Sequence, residues 1–171
     1  MLDLVAPHTD LAPSYRTFVA ELAAANEAPV PFTLGFDATD FAALLVRLAA
    51  CAREESCDSG FVPHATFWLV RDQVEIVAVS NLRHRLTDAL RQDGGSIGYG
   101  VRPSMRGRGF GTEILRQTIH KARKLGLTEI LLTCARENAH SAAVIVRNGG
   151  ELLSEHWSQA RGETVQRYLI R

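Results

Sequence analysis

Between Gly100 and Glu113 the chain reads Gly-Val-Arg-Pro-Ser-Met-Arg-Gly-Arg-Gly-Phe-Gly-Thr-Glu, a glycine- and arginine-rich turn set between a strand-like run and a helical pattern. The chemistry such a turn offers is anion binding. Backbone amides at a helix start have no partner inside the helix and lie at the positive end of its dipole, so a phosphate can satisfy them. Glycines at 107, 109 and 111 open main-chain conformations closed to other residues and let a ligand approach without a Cβ in the way. The spacing narrows the choice of phosphate ligand. A Walker loop needs a Lys-Ser/Thr pair after its second glycine, and none is present; a dinucleotide fingerprint wants Gly-x-Gly-x-x-Gly after a first strand, with an acid about 20 positions on. Here Gly107-x-Gly109-x-Gly111 falls past the midpoint of the chain, and a simple tight turn is the plainer alternative.

Length and composition bound what surrounds this turn. With 171 residues, 46% hydrophobic and 22% charged, residues 1–171 suit one globular domain whose core needs neither disulfides nor metal. No apolar run approaches the ~20 residues of a membrane helix, and no basic segment leads an apolar one at the N-terminus, so a cytoplasmic protein without membrane contact is expected. Three cysteines, Cys51, Cys57 and Cys134, fit neither zinc nor redox-pair spacings and read as packed thiols, so no metal is expected. The formal net charge of zero argues against a nucleic-acid surface, yet residues 1–60 hold nine acids against three bases. Arg102, Arg106 and Arg108, by contrast, fall within seven residues free of acids, a local site for one phosphorylated ligand.

The elements that must position the turn follow from periodicity. Leu2 to Ala6 reads as a first strand; Pro13-Ser14 open a helix with Tyr15, Phe18, Val19 and Leu22 on one face. Asp37 or Thr39 is expected to cap a second helix striped by Phe41, Leu44, Leu45, Leu48 and Ala52 and ending between Ser56 and Gly60. Thr66 to Val70 and Val74 to Ser80 form a hairpin, Asn81 to Arg91 a basic connection, and Ser96 to Arg102 the strand that feeds the loop. A helix from Gly109 to Leu125 crosses over to a compact apolar strand, Thr128 to Cys134, expected parallel to Ser96 to Arg102. A short helix, Ala139 to Arg147, and a hairpin around Arg161-Gly162 complete the chain.

The loop pattern Arg106-x-x-Gly109-x-Gly111 resembles the pyrophosphate-binding signature of the GNAT superfamily of N-acetyltransferases. Asn138-x-x-Ser141 with Val144, Asn148 and Gly149 is similar to the family's Asn-x-x-Ser/Ala helix ending in Asn-Gly-Phe, with Gly150 where Phe is usual. With Leu82-Arg83-His84 and Gly94-Gly95-x-Ile97-Gly98-Tyr99, the wording resembles a bacterial subgroup of predicted acetyltransferases over essentially the whole chain. The resemblance implies an α/β (α+β) fold: a mixed, mostly antiparallel central sheet with a splayed parallel strand pair and helices on both faces. It implies acetyl-CoA as co-substrate. Main-chain groups of Val101, Arg102 and Pro103 would pair with pantetheine, and the amides of Arg106, Gly107, Arg108, Gly109, Phe110, Gly111 and Thr112 would take the pyrophosphate. Arg102, Arg106 or Arg108 would add charge, Asn138 would bond the cofactor arm, and Ser141 would face the arm or the thioester sulfur. Many relatives pair as homodimers, which extends to this chain by analogy.

Amide formation needs an uncharged amine and a stabilised oxyanion and leaving thiolate. The family's usual course is direct transfer in a ternary complex, often with a tyrosine seven positions after the helix asparagine as the thiolate's acid. That position is Ile145 here, so Tyr99, Ser141 or a water must serve. Tyr99 on the strand before the loop is otherwise a core or edge residue. His84 has a pKa range that suits an amine proton, though a histidine between Arg83 and Arg85 is more often a solvated group or a neighbour of the cofactor phosphate. Glu137 and His64 stay open as bases. The acceptor expected is a primary amine, a small molecule or a peptide N-terminus, and the early acids suggest a cationic one. The competing classes are a non-catalytic acyl-CoA-binding module, kept open by Ile145, and an ATP-binding protein, disfavoured by the missing Lys-Ser/Thr pair.

Overall fold

The computed structural model describes residues 1–171. Its strands are β1 (Leu2–Val5), β2 (His64–Arg71), β3 (Glu75–Arg83), β4 (Ile97–Val101), β5 (Ile130–Ala135), β6 (Glu151–Ser158) and β7 (Glu163–Ile170); its helices are α1 (Ala12–Ala24), α2 (Phe41–Ala50), α3 (Phe110–Lys124) and α4 (Ala139–Arg147). No helix is long and apolar enough to cross a membrane.

The strands make two antiparallel sheets, ordered β1-β2-β3-β4 and β5-β7-β6. They meet where β4 and β5 begin: the Ser96 amide donates to the Leu131 carbonyl at 2.6 Å, and the Leu131 amide donates to Ser96 Oγ at 3.2 Å. No further main-chain bond joins the two strands, so the expected parallel pair exists only as this contact and then splays. Gly95 makes the contact close. A Cβ there would sit 2.8 Å from the Leu131 carbonyl oxygen, and its φ of +70° is one that other residues rarely adopt.

Helices cover both faces, as two-layer burial of an amphipathic sheet requires. On one face Tyr15 and Phe18 of α1 and Leu44 and Leu48 of α2 pack on Trp68, Val70 and Ile76. On the other, Ile114 of α3 packs with Leu69, Val77 and Ala78, while Leu115 and Ala122 of α3 join Ile145 of α4 against Leu132 and Tyr168. The crossover helix therefore spans both sheets and holds the splay open.

Three local expectations are corrected. The α2 cap is Asp40, whose carboxylate accepts from the Ala43 amide at 3.0 Å; Asp37 instead closes a turn on the Thr39 amide at 2.9 Å, because Asp40 is the extended residue that directly precedes the first helical turn. The helix stops at Ala50, since beyond Cys51 the apolar stripe gives way to Arg53, Glu54 and Glu55. Strand β3 continues through Arg83 where a connection was expected. Asn81 is fully buried there because its amide bonds back into β2, at 3.2 Å from Thr66 Oγ1 and 2.8 Å from His64 Nδ1.

Candidate functional site

Strand β4 runs through a short 3-10 turn, Pro103–Met105, into the glycine-rich loop and α3. Within that loop the amides of residues 107, 108, 109, 110, 111 and 112 donate to no protein acceptor, main chain or side chain. Gly107 and Gly109 make this possible, with φ of +75° and +83° and no atom within 4 Å of where a Cβ would stand. Gly111 has a different task. Its absent Cβ lies 3.4 Å from Val144 Cγ2 and 3.5 Å from Val101 Cγ2, so it lets α3, α4 and β4 converge.

The three arginines divide. Arg108 is exposed and has no acidic partner. Arg106 holds Glu27 through both terminal nitrogens and donates from Nε to the Val101 carbonyl at 3.3 Å. Arg102 is buried, with Nε 2.7 Å from Glu21 and Nη1 3.6 Å from Glu75, so its charge answers carboxylates of α1 and β3 rather than the loop. The physical reason is strand alternation: Arg102 continues the row of Gly98 and Gly100, on the face that Val30 and Pro31 cover. Burial pushes the Glu21 carboxyl upward, but the Ser104 amide and the Arg102 guanidinium outweigh it and hold its pKa below the usual 4.5.

Which main-chain groups face the splay follows from the ladder. The Arg102 amide donates to the Val77 carbonyl and the Arg83 amide to the Ser96 carbonyl, so the even-numbered residues of β4 bond to β3. Tyr99 and Val101 therefore turn their amides toward β5. Of the three residues expected to pair with pantetheine, Arg102 is satisfied by Val77 and Met105, and Pro103 has no N–H and gives its carbonyl to the Arg106 amide. Only Val101 keeps an open donor, and Tyr99 joins it.

Side chains from β4, β5 and α4 meet in the splay. Tyr99 Oη lies 3.0 Å from Ser141 Oγ, and burial pushes the phenol up to about 12. Cys134 is buried beside them; burial raises its thiol and contact with Ser141 lowers it. Cys134 packs in the core with Leu132, Ile145 and Tyr168, as expected of a buried thiol, and its place near the end of β5 also sets it in the strand facing Tyr99. Ser141 is held because Asn138 caps α4: its Oδ1 accepts from the Ser141 amide at 3.0 Å, leaving Nδ2 without a protein partner. Asn148 ties the far end of α4 to α3 by donating to the Thr112 and Val144 carbonyls at 3.2 and 2.9 Å. Ile145 is fully buried in the core, and a Cβ on Gly150 would fall 2.4 Å from its Cγ2, so the two unusual residues fit one another.

His84 is not brought to this group. It lies four residues along from Ser80, the β4-facing partner of Tyr99, which places it about 13 Å further along the sheet. Its amide donates to the Pro63 carbonyl, and burial lowers its pKa. Its neighbours are engaged too: Arg83 donates to the Gly94 and Gly95 carbonyls and Arg85 pairs with Glu54. Glu137 is exposed and His64 is buried at the start of β2. Of the early acids, Glu21, Glu27, Glu54 and Asp58 all sit in ion pairs with arginines, and Asp37 and Asp40 accept from main-chain amides.

Residues 7–151 match the family model of the acetyltransferase (GNAT) domain. No curated protein matches the chain by sequence. Among solved structures it is similar to the microcin C7 self-immunity acetyltransferase MccE, in complex with acetyl-CoA and AMP, at 14% identity and TM-score 0.72, covering 99% of this chain and 91% of that one. It is also similar to the Salmonella typhimurium acetyltransferase that modifies the N-terminal serine of ribosomal protein L7/L12, at 17% identity and TM-score 0.67 over 99% and 94% of the two chains. A spermidine N-acetyltransferase variant from Vibrio cholerae matches at 16% identity and TM-score 0.64 over 98% and 94%. At these identities the structural likeness speaks to the fold.

Proposed function

The chain belongs to the acetyltransferase (GNAT) family, and on that premise we propose that it transfers an acetyl group from acetyl-CoA to a primary amine, of a small molecule or a peptide N-terminus, by direct attack in a ternary complex. The observation that carries this reading is the run of six amides, residues 107–112, without an acceptor in the protein. Main-chain donors at a helix start fit a diphosphate, and the open space at Gly107 and Gly109 admits its oxygens. Arg108 adds the charge that Arg102 does not. The amides of Tyr99 and Val101 and the Nδ2 of Asn138 are the donors available to the pantetheine arm.

Acetyl-CoA supplies an activated acyl carbonyl and a thiolate leaving group. The Tyr99 hydroxyl, oriented by Ser141, serves the sulfur as a hydrogen-bond donor. Complete proton transfer is not its task, because a phenol near 12 is a far weaker acid than a thiol of about 8.5. The amine's proton leaves by solvent. Six of the nine early acids are engaged within the fold and lend a cationic acceptor no support.

Isothermal calorimetry with CoA, and thiol release from acetyl-CoA across a panel of amines, test the reading. Binding without thiol release for any amine favours the second reading, a non-catalytic acyl-CoA-binding module, for which Ile145 at the usual acid's position speaks. Absence of binding removes both. A cytoplasmic location and a homodimer go with the enzyme reading; the unpaired edge of β6, with exposed Leu152, Leu153 and Trp157, is the surface to probe for pairing.

A further inference from the structure

Far from the loop, the connection from α2 to β2 folds Cys51, Cys57 and His64 together. One ligand atom from each lies within 4.8 Å of the others. The main chain holds two of them in place: the His64 amide donates to the Cys51 carbonyl at 2.8 Å. Cys51 and His64 are each only 1% exposed, whereas Cys57 is half-buried in irregular chain and its thiol donates to the Val62 carbonyl at 3.4 Å.

His64 is the second, independent sign. Its Nδ1 faces the Asn81 amide at 2.8 Å, and its Nε2, buried, has no partner; Asn81 Oδ1 has none either. Turning the near-isosteric Asn81 amide over gives up its 3.4 Å bond to the Ala65 carbonyl, relieves Oδ1 and leaves Nε2 free for a ligand. Oδ1 then accepts from Nδ1–H, with Thr66 Oγ1 able to donate to the same oxygen, and Nε2 presents a lone pair. Metal-bound histidines are held in this way, the far nitrogen donating to an oxygen.

We propose that Cys51, Cys57 and His64 bind a thiophilic divalent cation of the zinc type. Two sulfurs and an imidazole are the ligand set that favours zinc over magnesium or calcium, and three protein ligands leave a fourth position for water. Both thiols give their protons to solvent as the sulfurs bind, so two thiolates balance the charge of the cation. Tetrahedral zinc sets its sulfurs about 3.8 Å apart, and since the ligand atoms already lie within 4.8 Å of one another the cluster needs to contract by at most about 1 Å, a movement open to Cys57. A disulfide between the cysteines would leave Nε2 unpartnered and require an oxidant. The bound cation clips the end of α2 to the start of β2, beneath the Phe32 and Phe61 rings that pack on His64 at 5.1 and 6.0 Å.

The test uses the full chain, purified reduced and metal-free, titrated with Co2+ as an optical probe. One equivalent is expected to give thiolate-to-cobalt charge-transfer absorption and the strong visible bands of tetrahedral cobalt, both removed by one equivalent of Zn2+. Zn2+ should shield two of the three thiols from a thiol reagent and raise the melting temperature. Cys57→Ser and His64→Gln should each weaken Co2+ by more than the ~10–100-fold that outer partners are worth, while Cys134→Ser leaves the spectrum unchanged. Circular dichroism establishes that each variant is folded, and half-buried Cys57 is the substitution the fold tolerates best. Absence of the thiolate band, its persistence in folded Cys57→Ser, or a Cys51–Cys57 disulfide in protein isolated without air overturns the proposal. None of these outcomes bears on acetyl transfer, whose residues lie elsewhere.

Discussion

The glycine-rich loop and the acidic first sixty residues treat their polar groups in opposite ways. In the loop the groups are main-chain amides, and six in succession find no acceptor in the protein. In the acidic stretch they are side chains: four pair with arginines and two cap main-chain amides. The difference is one of reach. A carboxylate on a flexible stem finds whatever cation the fold brings near, whereas an amide in the first turn of a helix is aimed outward by the helix itself. Surplus main-chain donors therefore point to a ligand more firmly than surplus acids do.

The largest test of this contrast is Arg102→Ala. It leaves Glu21 without its buried cation, while Glu75 keeps Arg71, and with the carboxylates about a quarter exposed it should cost about 2–3 kcal/mol in denaturant unfolding, below the full cost of a buried unpaired charge. A selective loss of CoA affinity at unchanged stability would return Arg102 to the loop and break the contrast. Next, Gly109→Val forces a β-branched residue to a φ of +83° and should weaken CoA about 100-fold in calorimetry, or about 2.7 kcal/mol. Tyr99→Phe should lower kcat roughly 10- to 100-fold, less than a true general acid is worth, with CoA affinity retained. Asp40→Ala sharpens the acidic side: it should lose about 1 kcal/mol of stability as a helix cap, with the KM for the amine unmoved. The smallest effect is in pH. Because Glu21 titrates below its ordinary 4.5 in the fold, its contribution is complete above that value and is lost as pH falls through the lower one. Thermal melts of Glu21→Gln should show a shallower acid decline than the parent.

Much of this was legible in the sequence. The order of strands and helices, the amphipathic faces of α1 to α3 and the anion loop follow from periodicity and from glycine, because these are local properties of the chain. The pairing of Asn138 with the Ser141 amide is likewise a cap written in residues three apart. Asn81 misled because a polar residue near a basic run reads as a turn until its partners on β2 are known. His84 is read from type and pKa range alone, and the fold sets it just past the end of β3, four residues along from the Ser80 that pairs with Tyr99.

What the chain alone determined, then, is where main-chain donors gather and which faces are apolar, since both depend on neighbours within a turn or two. Only the tertiary structure decided which side chains meet. Arg102 and Glu21 are 81 residues apart, Tyr99 and Ser141 42. Cys51 and His64 close from opposite ends of a connection whose spacing matched no metal motif. Contacts at such separations depend on how sheets and helices pack, and no local pattern of residue types encodes them.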